Sequence, residues 1–204
     1  MTITYEVGTG LYVNLTNRCT NLCEFCVRSN GSGNPYGDLW LEREPTFEEA
    51  WADLQKRDLS KYSELVFCGY GEPTLRLPDV LRLCDEVKKI SDIRIRINTN
   101  GHANLIYGRD VTPELAGRVD VLSISLNCAS AKEYVALCHP DFGEAAYEGL
   151  LEFARLAKAY VPVVMLSVVD QTIPPSDIER CRKMAEERGV RLRVREYIGE
   201  TKKA

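Results

Sequence analysis

Residues 11–30 read LYVNLTNRCTNLCEFCVRSN, a short apolar run followed by three closely spaced cysteines. The apolar run is rich in β-formers and predicts a strand. Cys19, Cys23 and Cys26 follow with the spacing C-x3-C-x2-C, and Phe25 directly precedes the last thiol. Three thiols on one short loop converge on a single point. The pattern therefore predicts a bound group that accepts three sulfur ligands.

Two groups fit this description, a [4Fe–4S] cluster and a structural zinc ion. Iron–sulfur clusters usually take four cysteines, so a cluster on this triplet keeps one iron free to bind another molecule. A structural zinc site needs four Cys or His ligands, usually as two pairs. The fourth donor would have to come from Cys138 or His139. The spacing favours the open cluster, and zinc stays as the alternative.

Composition sets the broad class of the chain. Its 204 residues are 45% hydrophobic and 27% charged, as in ordinary globular proteins that bury a core. The length predicts one domain over residues 1–204, and the net charge of −4 argues against general nucleic-acid binding. No apolar run approaches the roughly 20 residues that span a bilayer, and the first ten residues lack signal-peptide features. Eight cysteines in such a chain predict reduced, cytoplasmic thiols.

Strand and helix signals alternate along the chain. Thr46 with Glu49, and Ser176 with Glu179, have capping-box spacing and predict helix starts, the first helix running to about residue 58. Strands are predicted at residues 11–17, 65–68, 93–98, 120–127, 161–169 and 191–197. Helices are predicted between them, at residues 78–90, from 113, at 130–137, 144–160 and 176–189. Six alternations imply parallel strands with right-handed crossovers, an α/β partial (βα)6 barrel with a parallel six-stranded sheet.

The two faces of the predicted strands differ in polarity. At residues 120–127 one face carries Ser123, Ser125 and Asn127, and the other is apolar and must face the helices. By the same rule, the inward side chains are those of Asn14, Thr16, Arg96, Asn98, Ser167, Arg193 and Arg195. A barrel packed for stability fills its interior with Val, Ile and Leu. The pattern therefore predicts a lumen for a polar, charged ligand. The alternative is that some of the strand residues face solvent at an open sheet edge, above all Arg94, Arg96, Arg191 and Arg193.

Two motifs resemble those of one family. Residues 19–26 resemble the cluster loop of the radical SAM superfamily, C-x3-C-x-aromatic-C, and residues 69–73, GYGEP, are similar to its GGEP motif. The segments FCGYGEPT (67–74), INTNG (97–101) and KEYVALCHPDFG (132–143) look most like the TatD-associated radical SAM proteins. A small 7-deazaguanine-synthase or activase-type radical SAM enzyme and a zinc-stabilised interaction module are the alternatives.

The resemblance implies a mechanism. Cys19, Cys23 and Cys26 would hold a [4Fe–4S] cluster whose open iron binds the amino and carboxylate groups of S-adenosylmethionine (SAM). An electron from a donor such as flavodoxin or ferredoxin would cleave SAM to methionine and a 5′-deoxyadenosyl radical, which takes hydrogen from an unassigned substrate. The cofactor carries this chemistry, and the protein orients it.

The resemblance also implies individual roles. Glu72 would brace the GYGEP turn, and Tyr70 departs from the second Gly of GGEP. Phe25 would pack beside the cluster, with its backbone near the adenine. The other implied SAM contacts are the backbone of Gly69, Tyr70 and Gly71 at the methionyl ammonium, Asn98 at a polar group, Ser125 and Asn127 at the ribose or methionyl carboxylate, and Val168 with Val169 at the adenine wall. We further expect His102 and His139 to be structural, residues 31–37 to form a flexible loop that could close the lumen, and residues 201–204 to be solvated.

Overall fold

The computed structural model of the protein describes residues 1–29 and 35–198, so the tail and most of the predicted 31–37 loop lie outside the described residues. One seven-stranded sheet runs in chain order through this part of the chain. Its strands are β1 Thr4–Val7, β2 Gly10–Val13, β3 Glu64–Phe67, β4 Arg94–Thr99, β5 Val121–Ser125, β6 Val163–Val169 and β7 Arg191–Arg195. Strands β2 to β7 are parallel. The α/β partial-barrel class is confirmed, with one strand more than expected.

The unexpected strand is β1, which pairs antiparallel with β2. Gly8 sits in the connecting turn at φ +56°, a conformation that favours glycine. The amide and hydroxyl of Thr4 both donate to Asp53 Oδ2, at 3.1 and 2.6 Å, and so tie β1 to the first helix. This hairpin covers an edge of β2 that would otherwise be open.

The helices follow the predicted order with changes at their ends. They are α1 Phe47–Leu54, α2 Leu77–Ile90, α3 Ala103–Tyr107, α4 Ala131–Cys138, α5 Ala145–Ala157 and α6 Pro175–Glu187. The Thr46 capping box is confirmed, but α1 ends at Leu54, before residue 58. The Ser176 cap is wrong. Helix α6 begins at Pro175, whose fixed φ suits the first helical position. The helix expected from residue 113 is the 3-10 turn Thr112–Leu115, and α3 was not foreseen.

The apolar face of the sheet packs under the helices, as the strand parity predicts. Leu65, Ile95, Ile97, Leu122 and Leu166 are all fully buried in one core cluster. Cys84 and Cys181 are buried in the same core, as expected of structural thiols. None of the described helices is long and apolar enough to cross a membrane.

The opposite, inward face of the sheet is polar. Register pairs Asn98 with Ser123, which places the two on the same face. The inward residues Asn14, Arg96, Ser123 and Ser167 are each at most 4% exposed. Three of the arginines whose orientation was open, Arg94, Arg191 and Arg193, are exposed.

Candidate functional site

The cysteine loop, residues 19–29, lies at the carboxyl end of the sheet and is clamped against the last turn of α4. The amide of Leu22 donates to the carbonyl of Cys138 at 2.9 Å, and that of Glu24 donates to the carbonyl of Leu137 at 3.1 Å. The loop is therefore fixed by backbone hydrogen bonds on both sides of Cys23. Ligands of parallel α/β sheets bind at this end of the strands.

The three cysteines of the loop are free and partly buried. A turn in which the amide of Cys26 donates to the carbonyl of Cys23 at 3.1 Å brings two of them together. Burial, helped by Glu72 and by the neighbouring Cys23, raises the pKa of Cys19 to about 12. Burial also raises the pKa of Cys26, whereas a hydrogen bond with the Cys138 thiol lowers that of Cys23. Cys23 thus interacts electrostatically with both of the other loop thiols.

The arrangement of these donors tests which group they fit. Among residues 1–29 and 35–198, no three His, Cys, Asp or Glu side chains gather closely enough to hold a metal ion. A single zinc ion needs sulfurs about 4 Å apart, because each Zn–S bond is about 2.3 Å long. A cubane cluster instead spreads three thiolates over three iron atoms. Three free thiols on one short loop are the donor set that a [4Fe–4S] cluster with one open iron would need.

The two candidate fourth donors lie in different surroundings. Cys138 is fully buried, and its pKa is raised by hydrogen bonding with the thiols of Cys128 and Cys23. His139 is exposed at the end of α4, in a left-handed conformation, and its Nε2 lies 3.2 Å from Glu24 Oε1. Cys138 therefore backs the loop, and His139 pairs at the surface.

A buried polar network supports the loop from behind. Thr20 Oγ1 lies 3.0 Å from His102 Nδ1 and accepts from Asn100 Nδ2 at 2.8 Å. His102 Nε2 lies 3.2 Å from the hydroxyl of Tyr134, which also accepts from Asn21 Nδ2 at 2.9 Å. Burial lowers the pKa of His102 to about 4. The imidazole is therefore neutral at neutral pH and serves the structure, as expected for this residue.

Glu72 ties the GYGEP turn to the end of β4. Its Oε1 accepts from the amide and hydroxyl of Thr74, at 3.0 and 2.7 Å, and from the hydroxyl of Thr99 at 2.7 Å. Its Oε2 accepts from the amide of Asn100 at 2.7 Å. Burial raises the pKa of this carboxyl even though these hydrogen bonds oppose the shift. Asn100 then reaches Cys19 Sγ, with Nδ2 at 3.9 Å, so the brace extends to the cysteine loop.

The glycines of this turn are required by the chain itself. A Cβ on Gly71 would lie 2.3 Å from the carbonyl oxygen of Thr16 and 2.4 Å from that of Arg18. A Cβ on Gly69 would lie 2.1 Å from Asn14 Oδ1. Both contacts are far inside van der Waals distance. The sequence suggests that the small residues make room for a ligand, but they first let β3 approach β2 and its loop.

The side chains of three expected SAM contacts lie away from open space, although for Tyr70 the expectation concerned the backbone. Val168 is fully buried in the core under the helices, so it cannot form an adenine wall. Asn127, in a left-handed conformation, is 2% exposed, and its Nδ2 donates to Cys138 Sγ at 3.5 Å. The Tyr70 ring packs edge to face on Trp40, with ring centroids 5.2 Å apart. These side chains support the site and do not line it.

The inward face near the loop keeps unpaired polar atoms. Asn98 Oδ1 and Arg195 Nε are buried and have no hydrogen-bond partner among the described residues. Arg195 Nη2 donates to Ser125 Oγ at 3.4 Å. Burial lowers the pKa of Arg195, and the neighbouring Arg193 and Arg96 lower it further. Ser125, an expected ligand contact, is thus held by an arginine for which the sequence suggested no individual role.

A small pocket opens beside Phe25. It has a volume of about 150 Å³ and is lined by Glu24, Phe25, Leu137, Gln171, Thr172 and Tyr197. The sequence predicts the position of Phe25 but not the contributions of Gln171, Thr172 and Tyr197. These three follow the carboxyl ends of β6 and β7, and that position was the signal that could have found them. The two aromatic rings among these residues, together with the polar side chains, suit a flat heteroaromatic ligand.

Comparison with known proteins supports one family. A family model described as the Radical SAM superfamily matches residues 13–185. The GTPase Obg of Brachyspira hyodysenteriae (strain ATCC 49526 / WA1) is 34% identical over 98 residues, which cover 46% of this chain and 14% of that protein.

Two solved structures have a similar fold. Streptococcus suis SuiB bound to S-adenosylmethionine matches with a TM-score of 0.67 and 18% identity, over 95% of this chain and 39% of that one. Native anSMEcpe with bound AdoMet matches with a TM-score of 0.64 and 18% identity, over 92% of this chain and 51% of that one. The chain thus spans between two fifths and about half of these proteins.

Proposed function

The chain belongs to the radical SAM superfamily, and we propose that it is an enzyme whose Cys19, Cys23 and Cys26 hold a [4Fe–4S] cluster with one open iron. When bound, the cluster supplies the electron that cleaves SAM to methionine and a 5′-deoxyadenosyl radical, which abstracts hydrogen from the substrate. The observation that carries this proposal is the cysteine loop: three partly buried thiols, clamped to α4 at the carboxyl end of the sheet.

The chain's own residues position the two cofactors. The Thr20–His102–Tyr134 network and the Glu72 brace both support the cysteine loop. The backbone of residues 69–71 would face the methionyl ammonium. Rigid support of this kind is what a site needs in order to hold reacting groups in place.

The pocket beside Phe25 is our proposed adenine site. This pocket is lined by Phe25 and by Tyr197, which follows β7. Offset stacking between two aromatic rings would orient the adenine, with Gln171 and Thr172 available for its polar edge. Asn98 and Ser125, on the inward face, would take the polar groups of SAM. Because Val168 is buried in the core, Val169 remains the candidate from β6 for the adenine wall.

Finer assignments rest on the motifs. We propose membership of the TatD-associated radical SAM proteins, in preference to the 7-deazaguanine-synthase or activase types, on the segments FCGYGEPT and CHPDFG. A flavodoxin or ferredoxin in the cytoplasm, which keeps thiols reduced, would supply the electron. Residues 1–204 would form one radical SAM core domain.

Anaerobic reconstitution with iron and sulfide tests the proposal. We expect a protein with equal iron and acid-labile sulfide that converts SAM to 5′-deoxyadenosine under dithionite. Cys19→Ala, Cys23→Ala and Cys26→Ala should each lose the iron, whereas Cys181→Ala, a buried thiol of α6, should retain it. One zinc per chain without sulfide would favour the zinc-stabilised interaction module. A fully loaded cluster that leaves SAM intact would also refute the proposal.

A further inference from the structure

We propose that Arg195 forms an anion subsite in the lumen, which binds a carboxylate or phosphate group of the substrate. This proposal deepens the proposed function and rests on it for the identity of the reaction. The first observation is the direction of the Arg195 side chain. The residue lies on β7, yet its Nη2 donates to Ser125 on β5, so the side chain crosses over β6 inside the lumen.

The free edge of this guanidinium defines the ligand. Nε has no hydrogen-bond partner among the described residues, and the Nη2 contact to Ser125 is long, at 3.4 Å. Nε–H and Nη2–H form the edge with which arginine binds carboxylate or phosphate oxygens in pairs. A buried donor without a partner costs free energy, and an oxyanion at this edge would remove that cost. Arg195 as a whole remains partly exposed, and its Nε atom is buried.

The charges around Arg195 favour an anion from outside the chain. Arg96, also on the inward face, is neutralised by Glu64 at 2.7 Å and contacts the hydroxyl of Tyr12 at 3.1 Å. Arg195 has no such carboxylate among the residues that the structure describes; its acidic neighbours are the thiols of Cys68 and Cys23, and Arg193 adds positive charge nearby. Unlike Arg96, this arginine therefore lacks a paired carboxylate.

The anion is assigned to the substrate and not to SAM. In the proposed function the carboxylate of SAM binds the open iron, and the adenine lies in the pocket beside Phe25. Neither part of SAM then needs Arg195. The lumen beyond the 5′ carbon is where the substrate must lie, and Arg195, with Ser125, faces that space.

The test uses inorganic phosphate as the probe on the full chain, with and without the reconstituted cluster. Because a ligand that binds only the folded state raises the unfolding temperature in a saturable way, phosphate should stabilise the protein beyond chloride at equal ionic strength. Arg195→Gln should abolish this effect, and Arg195→Lys should weaken phosphate binding about tenfold because it lacks the paired edge. The matched control Arg94→Gln, at an exposed position of β4, should behave as wild type.

The possible outcomes separate this subsite from the proposed function. Saturable stabilisation that disappears in Arg195→Gln, with a loss of SAM affinity smaller than tenfold, supports the subsite, because the variant also removes the Arg195 contact to Ser125. Equal stabilisation in wild type and Arg195→Gln, or none beyond chloride, overturns it. A tenfold or greater loss of SAM affinity in Arg195→Gln assigns the arginine to SAM and also overturns it. Failure of the loaded wild type to cleave SAM refutes the proposed function, while the phosphate result is read independently.

Discussion

Acidification should destabilise this fold through one residue, His102. Its side chain is fully buried between Thr20 and Tyr134, and burial lowers its pKa from the ordinary 6.5 to about 4. The unfolded chain therefore binds a proton at this imidazole more readily than the folded chain. Stability from the neutral imidazole is fully present above pH 6.5 and is lost as the pH falls towards 4.

The size of the effect follows from the shift in pKa. A lowering from 6.5 to about 4 is 2.5 pKa units, and each unit is worth about 1.4 kcal/mol. The free energy of unfolding should therefore fall by about 3 kcal/mol between pH 7.5 and pH 4 from His102 alone. Glu72, whose pKa is raised by burial, acts in the opposite direction. A comparison with a variant removes this and every other shared contribution.

Urea unfolding of the reduced, cluster-free protein measures the effect. Wild type should exceed His102→Gln in free energy of unfolding at pH 7.5, and the gap should shrink by about 3 kcal/mol by pH 4. Gly108→Ala changes no ionisable group, and nothing lies within 4 Å of the added methyl group, so this variant provides the control. The gap between wild type and Gly108→Ala should stay constant. A His102 gap that changes by less than about 1 kcal/mol would refute the assignment of a buried, neutral imidazole.

Three further substitutions test the cap, the close strand approach and the adenine pocket. Thr46→Ala removes the capping-box hydroxyl and should lower the free energy of unfolding by about 1 kcal/mol in urea; no change would mean that the cap contributes nothing. Gly71→Ala places a methyl group 2.3 Å from a backbone carbonyl and should cost more than about 2 kcal/mol, well above Gly108→Ala, where nothing lies within 4 Å; equal losses would contradict the close approach. Tyr197→Ala should weaken SAM binding about tenfold by calorimetry through lost ring stacking, while Tyr160→Ala, at an exposed position, should not.

The sequence predicts those parts of the fold that depend on local patterns. In the alternating run IRIRIN, the isoleucines share one face of the strand and the polar residues share the other. The structure accordingly places Ile95 and Ile97 in the core and Arg96 in the lumen. The close spacing of Cys19, Cys23 and Cys26 similarly places all three on one loop. The polar lumen was predictable because Ser123 and Asn98 occupy positions that a stability-packed barrel would fill with apolar residues.

The sequence could not indicate features that depend on which distant part of the chain packs against a residue. By contrast, the parity that places Ser167 inward also turns its neighbour Val168 towards the helices, so the adenine-wall role that the resemblance implied for Val168 was already at odds with the sequence. The small size of Gly69 and Gly71 is equally compatible with a ligand and with a nearby segment of the chain. The structure shows the segment that follows β2. Arg195 became a candidate only when its contact across β6 to Ser125 was visible.

The central claim, an open iron on the three-cysteine loop, is tested most directly by electron paramagnetic resonance of the reduced, reconstituted protein with and without SAM. The account predicts the signal of a reduced [4Fe–4S] cluster whose g values shift when SAM is added, because the amino and carboxylate groups bind the iron that lacks a cysteine. Cys26→Ala should lose this signal. A cluster signal that saturating SAM leaves unchanged would contradict the account, as would a protein that holds only zinc.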